Sequence, residues 1–262
     1  MKLFGTIACA LVLAGASSPA FASTVLGSDI TEGENLGVNV HYRFGDRPST
    51  TGSFAGSYWD ISGQGAVYQL CAELRDHDAV APSYSVTEGL TTFGDVRDAQ
   101  LTTLYSNAFP LLNDAVNSYL AANNGSLTKN NALAGEWAAI GQYSVALQTL
   151  TWVIVENNNA LIAPADPATV FGIMNDGAGD PVATGYIMNW ADQINTGAWT
   201  AKSGVKLYHA ASSVDSTQDR FWMTTSSAVP EPGAWALMIV GFGVAGTAIR
   251  TGRQRKPLAI AA

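Results

Sequence analysis

Apolar and polar positions change rhythm twice along this chain. In "LGVNVHYRF" (36–44), "GSYWDI" (56–61) and "AVYQLCAEL" (66–74), β-branched and aromatic residues sit between Gly, Ser and Pro punctuation, a pattern that predicts strands. From about Asp98 to Asn195 the period becomes helical. "DAQLTTLYSNAF" and "PLLNDAVNSYLAANN" read as two helices, with Pro110 in the first turn of the second and Asn124-Gly125 closing it. "ALAGEWAAIGQYSVALQTLTWVIVENN" predicts a long Ala-rich helix, and Asp166-Pro167 and Asp180-Pro181 each announce a further one, a cap residue followed by proline. "GVKLYHAA" and "DRFWMTT" return to strand chemistry. The order strands, helices, strands predicts an α+β domain: a β-sandwich or barrel interrupted by a helical insertion at about 98–196.

Both ends of the chain lie outside that pattern. Residues 1–22 have a positive charge at Lys2, an apolar stretch from Leu3 to Ala14 and the small-residue site Ala20-Phe21-Ala22. This is the form of a secretory signal peptide, cut between Ala22 and Ser23. Cys9 leaves with it, so the exported domain, 23–228, keeps Cys71 as its only cysteine. An internal disulfide is then excluded.

Residues 229–262 form the other appendage. Pro230-Glu231-Pro232 precede an apolar run, 234–249, and then Arg250, Arg253, Arg255 and Lys256. The run is shorter than the ~20 residues of a full span, and the basic cluster holds its end on the cytoplasmic side. Pro230, Glu231, Pro232, Trp235, Ala236, Gly241, Gly243 and Gly246 give this tail its resemblance to the PEP-CTERM sorting signal, in the variant Pro-Glu-Pro-x-x-Trp-Ala. That resemblance implies a Gram-negative bacterium making exopolysaccharide and processing by an exosortase. It further implies transient anchoring in the inner membrane and release to the cell surface or extracellular matrix. "GFGVAG" (241–246) fits a dinucleotide fingerprint by spacing alone; it lacks the following acidic residue and reads as small-residue packing in an apolar helix.

Composition narrows the partners. The chain is 47% hydrophobic and 13% charged with net charge −8, and its basic residues cluster in the tail. No basic patch remains to neutralise phosphates, so nucleic acid is excluded as a partner. Three histidines without paired spacing argue against zinc. "NDGAGD" (175–180) lacks the alternating ligands and terminal glutamate of a calcium loop. No cofactor is expected.

Two residues break the pattern. Cys71 is a lone thiol in an apolar strand, and Gln148 is a lone amide in the apolar "VALQTLTWVIV". Gln148 shares a helical stripe with Ser144 and Trp152, near Gly141 and Trp137, so the face is expected to be buried. An amide there needs partners, since an unsatisfied one costs about 1–3 kcal/mol. "LC" at Leu70-Cys71 and "LQTLTW" at 147–152 resemble the two signatures of bacterial thioester domains, with Gln148 and Trp152 keeping the family's separation. Leu147, Leu150 and Thr151 depart from its Thr-Gln-x-Ala-hydrophobic-Trp pattern. The resemblance implies an internal Cys71–Gln148 thioester, pocketed by Leu70 and Trp152, that captures a surface amine or hydroxyl once, without enzymatic turnover.

Two other readings stay open. Cys71 is a candidate hydrolase nucleophile with His41, His77 or His209 as base. Tyr58, Trp59, Trp190, Trp199 and Trp222 are candidate stacking platforms for a non-covalent exopolysaccharide or matrix binder. A thioester needs Cys71 and Gln148, a hydrolase needs Cys71 and a histidine, and a sugar binder needs neither.

Overall fold

In β10 (Arg220–Thr225) strand alternation places Phe221 and Met223 on one face, Arg220 and Trp222 on the other. That alternation divides the core. The computed structural model describes residues 23–35, 38–44, 47–54, 56–62, 65–72, 74, 80–166, 168–174 and 179–225. Phe221 and Met223 join Leu70, Tyr105, Phe109 and Leu147 in the larger apolar cluster, shared by strands and helices. Trp222 joins Val25, Trp59, Ile61, Tyr84 and Val86 in a smaller one lined by strands and by Ala81 of the segment before Ser83.

The strands before the helices are β1 (Ser23–Leu26), β2 (Ile30–Asn35), β3 (Val38–Phe44), β4 (Arg47–Phe54), β5 (Ser57–Ile61), β6 (Gly65–Cys71) and β7 (Ser83–Glu88). Then come α1 (Asp95–Ala122), α2 (Ala134–Asn157), β8 (Phe171–Ile173), α3 (Pro181–Asn195), β9 (Val205–Ser212) and finally β10. Seven strands form an antiparallel sheet in the order β1-β7-β9-β10-β6-β5-β2. Its two outermost strands are joined by a single short turn, Gly27–Asp29. The sheet therefore curls back on itself around the smaller cluster, and the helices pack on its outer face. A three-stranded sheet, β4-β3-β8, stands beside it. The α+β architecture with a helical insertion is what the pattern predicts.

Three details differ from the sequence reading. The expected break at Pro110 is absent: α1 runs through it, at the loss of the one hydrogen bond proline cannot donate. Asp166-Pro167 starts no helix; Asp166 accepts from Ala168 N–H in a turn that leads into β8. Asp180 does cap α3, accepting from the N–H groups of Val182 and Ala183, with Pro181 in the first turn. The strands β1, β2, β4, β7 and β8 are additional to those the pattern announces.

α2 carries Gln148. Residues 131–157 are apolar and long enough to cross a membrane by those measures, but most of the stretch is buried inside the domain. The signal peptide and sorting tail lie outside the described residues.

Candidate functional site

β6 is the strand on which the site is built. Val67 to Ala72 are all buried, sandwiched between β5, β10 and the helices. Its pairing with β5 reaches Ser57↔Gln69 and stops, while its pairing with β10 continues to Arg220↔Cys71. Ala72 N–H then donates to Asp219 C=O at 2.9 Å. In an antiparallel ladder neighbouring residues turn their backbone groups to opposite sides. Cys71 therefore presents its N–H and C=O away from β10, at the place where β5 has ended.

The Gln148 side chain completes the ladder there. Cys71 N–H donates to Gln148 Oε1 at 2.9 Å, and Gln148 Nε2 donates to Cys71 C=O at 2.9 Å. A primary amide offers a donor and an acceptor at peptide spacing, which a carboxylate does not. Gln148 has no exposed surface, and Cys71 is 6% exposed. The amide expected from the sequence to need partners finds both of them on the backbone of the lone cysteine.

Further contacts fix α2 in register beside β6. One turn before Gln148, Ser144 Oγ meets Tyr68 Oη at 2.6 Å. Further along, Leu74 N–H donates to Glu156 Oε1 at 3.3 Å. Burial raises the Tyr68 phenol far above its ordinary range, so it is a neutral hydrogen-bonding partner at any physiological pH. Gly56 allows the close approach of β5 to β6: a Cβ there would lie 2.3 Å from Gln69 C=O and 2.6 Å from Tyr68 Oη. Thr151 bonds back to Leu147 C=O and meets Tyr105 Oη, both at 2.8 Å.

Arg220 is the site residue that the sequence reading missed. Its side chain is fully buried, and its Nη1 lies within hydrogen-bonding reach of Cys71 Sγ. The guanidinium also rests over the Trp59 ring, 5.4 Å from the centroid. A guanidinium stays charged under all working conditions, and a cation beside a thiol favours the thiolate. The available signal was parity: Arg220 is two positions from Trp222, so alternation puts a cation on a core-facing stripe.

The remaining candidates fall as follows. Leu70 and Trp152 are both buried in the cluster that includes Cys71. Trp152 stands edge-on to Phe171 of β8, with ring centroids 5.8 Å apart. Leu70 belongs to the strand row of Phe221 and His209, one step from the row of Cys71, Arg220 and Ala210. Alternation sends those two rows to opposite faces.

His209 has both ring nitrogens engaged, Nε2 with Asp219 Oδ2 at 2.9 Å and Nδ1 with Thr92 Oγ1 at 3.0 Å. Burial would raise the Asp219 carboxyl, but hydrogen bonds from His209 and Ser212 N–H, with the His209 charge, hold it below its ordinary value. His41 lies on β3, in the smaller sheet. His77 is outside the described residues. Trp59, Trp190 and Trp222 are 1–2% exposed, and Tyr58 and Trp199 are half-buried against the core. Three of the five proposed stacking platforms are thus core residues. Asp180 of the Asn-Asp-Gly motif serves as the α3 cap.

Comparisons with known proteins give a sorting motif and two weak structural neighbours. Residues 228–256 match the PEP-CTERM protein-sorting motif. The match spans the sorting residues Pro230, Glu231, Pro232, Trp235, Ala236, Arg250, Arg253 and Arg255. The chain carries an exosortase-type sorting motif, and its structural neighbours are bacterial thioester domains. One neighbour is the N-terminal thioester domain of a surface protein from Clostridium perfringens. It has 10% identity, covers 70% of this chain and 97% of its own, and superposes with a TM-score of 0.35. Another is the N-terminal thioester domain of the fibronectin-binding protein SfbI from Streptococcus pyogenes, with 12% identity, 72% and 97% coverage and a TM-score of 0.33. Superposition at this level is weak. No curated protein matches the chain in sequence.

Proposed function

We propose that the exported domain forms an internal Cys71–Gln148 thioester and uses it once, to attach covalently to an amine or hydroxyl on a surface. The carrying observation is the two-bond clamp between the Gln148 amide and the Cys71 backbone inside a buried site. The Cys71 thiol loses its proton and the thiolate attacks Gln148 Cδ. The C–N bond breaks, the amide nitrogen takes up a proton, and ammonia departs. Cys71 N–H, already donating to Oε1, steadies the negative oxygen of the tetrahedral intermediate, as an oxyanion-hole donor does. Burial keeps water from the bond, and Leu147 and Trp152, in the same apolar cluster as Cys71, contribute to that dry surround, while Leu70 packs the opposite face of β6. A partner nucleophile then attacks Cδ, becomes joined to Gln148 and releases the Cys71 thiol. The protein is consumed in one event, so it is not an enzyme.

The remaining steps follow from the two ends. A signal peptide cut between Ala22 and Ser23 exports the chain, and the tail lodges in the inner membrane. An exosortase acts near Pro230–Pro232, and the domain reaches the cell surface or matrix. Exopolysaccharide hydroxyls and protein amines there are the target class.

The test is intact mass of the full chain purified in detergent, beside Cys71→Ala and Gln148→Ala. The wild type alone should be one ammonia lighter than its processed sequence, with the loss mapped to Cys71 and Gln148, and methylamine should add to Gln148. Full mass with an alkylatable Cys71 would refute the reading.

A further inference from the structure

The backbone clamp positions the amide but leaves open what makes the thiol nucleophilic in a site that excludes water. An uncharged thiol is a poor nucleophile, and moving a bare thiolate into an apolar interior is costly. A reaction there needs a fixed cation. Charged and titratable groups flank Cys71 from its own strand, from α2 and from β10, and the phenols of Tyr58 and Tyr105, near Tyr68, are also kept neutral by burial. From β6 itself, Tyr68 presents a phenol that burial keeps neutral. From α2, the Glu156 carboxylate accepts from Leu74 N–H. Asp219, which precedes β10, holds His209 of β9 and Ser212 N–H. Arg220 of β10, opposite Cys71 in the ladder, is the group whose donor nitrogen meets the sulfur.

We propose that Arg220 is a catalytic residue of thioester formation: its buried guanidinium generates and holds the Cys71 thiolate that attacks Gln148. This rests on the thioester reading above and adds the residue that makes the bond form at neutral pH. The geometry supports a fixed role. Arg220 sits directly opposite Cys71 in the β6–β10 register, and the Trp59 ring supports its guanidinium face. It is pre-organised, so no charged side chain has to move into a dry site during the reaction. Arg220 is neither proton acceptor nor leaving group. The thiol proton goes to solvent during assembly, and the guanidinium stays charged throughout.

The test has two arms. The first uses the full chain in detergent carrying Gln148→Ala, which cannot form a thioester, and follows thiolate ultraviolet absorbance against pH. With Arg220 in place, the thiolate should form at least one pH unit below an ordinary thiol, whose pKa is about 8.5. Arg220→Met should move that midpoint up by at least one unit, and Arg220→Lys, which keeps the charge, by less. The second arm refolds chain recovered unfolded, with Cys71 and Gln148 unreacted, and follows loss of ammonia by mass across pH. At pH 7, Arg220→Met should slow the reaction about tenfold, matching the smaller thiolate fraction, and raising the pH should restore the rate.

A midpoint that Arg220→Met leaves unchanged overturns the proposal, as does equal slowing at every pH. If Arg220→Met does not fold, the Gln148→Ala chain decides alone, because a midpoint at or above the ordinary thiol value overturns it. The two ideas fail separately. A wild type of full mass ends the thioester reading, while the thiolate midpoint still reports what Arg220 does to the sulfur.

Discussion

A Cys71–Gln148 bond would be a cross-link, and its effect on stability can be worked out before it is measured. The two residues are 77 positions apart in sequence. Closing a loop of that size in the unfolded chain removes conformational entropy, which the chain-entropy treatment puts at about 4.5 kcal/mol at 25 °C. Strain in the folded state subtracts little, because the clamp places both residues together without a covalent bond. A domain of this size loses roughly 2–4 °C of Tm per kcal/mol. Methylamine opens the thioester and leaves an N-methyl amide whose oxygen can still accept from Cys71 N–H. The expected result is a fall in Tm of roughly 9–18 °C after methylamine treatment, read by scanning calorimetry. Cys71→Ala should start at the lower Tm and not respond. If the wild type and Cys71→Ala unfold together and methylamine moves neither, no cross-link spans the loop.

Three further outcomes test the geometry apart from the covalent chemistry. In a Cys71→Ala background, Gln148→Met leaves Cys71 N–H and C=O buried without partners. It should cost about 3 kcal/mol in chemical denaturation, at about 1–3 kcal/mol per orphaned group less the apolar packing regained, and it should expose the residue 71 amide to hydrogen exchange. Gly56→Ala drives a Cβ to 2.3 Å from Gln69 C=O, so β5 must shift; the expected loss is more than about 2 kcal/mol, with faster exchange of the Gln69 amide. Asp219 has a folded-state pKa held below its unfolded value. Its contribution is present above the unfolded value and is lost as pH falls through the folded one. Asp219→Asn should therefore flatten the stability profile on the acid side, below the ordinary carboxylate range, and lower stability at pH 7.

Much of this molecule was legible because its central elements are locally consistent. β3, β5, β6, β9 and β10 carry apolar alternation or dense aromatics, and α2 is Ala-rich and apolar nearly throughout. Cys71 and Gln148 stood out as chemistry in places that burial should make apolar. The strands that went unseen read "STVL", "ITEGEN", "RPSTTGSF", "SYSVTE" and "FGI". These are short or polar, and long-range pairing rather than local propensity makes them strands. Pro110 misled because proline interrupts a helix only where packing does not hold the neighbouring turns; Tyr105, Phe109 and Leu112, on either side of it, are all buried. Arg220 was invisible for a different reason. At the start of a strand a cation reads as a solvated end, and only the β6–β10 register shows that it faces Cys71.

That register also separates a reactive site from a structural one. A glutamine that merely finished a ladder would serve any residue at position 71, since both bonds go to the backbone. Such an account gives no reason for sulfur at that position. Burying a guanidinium costs several kcal/mol of lost hydration, and the cost is offset only by charge or good hydrogen bonds within reach. A neutral thiol is a weaker acceptor for such a donor than a thiolate is. On the backbone of the same residue, Gln148 Oε1 accepts from Cys71 N–H. Arg220 thus meets the sulfur of the same residue whose backbone N–H and C=O hold the Gln148 amide. Replacing Cys71 by alanine should leave both clamp bonds in place and remove the Arg220 contact to sulfur.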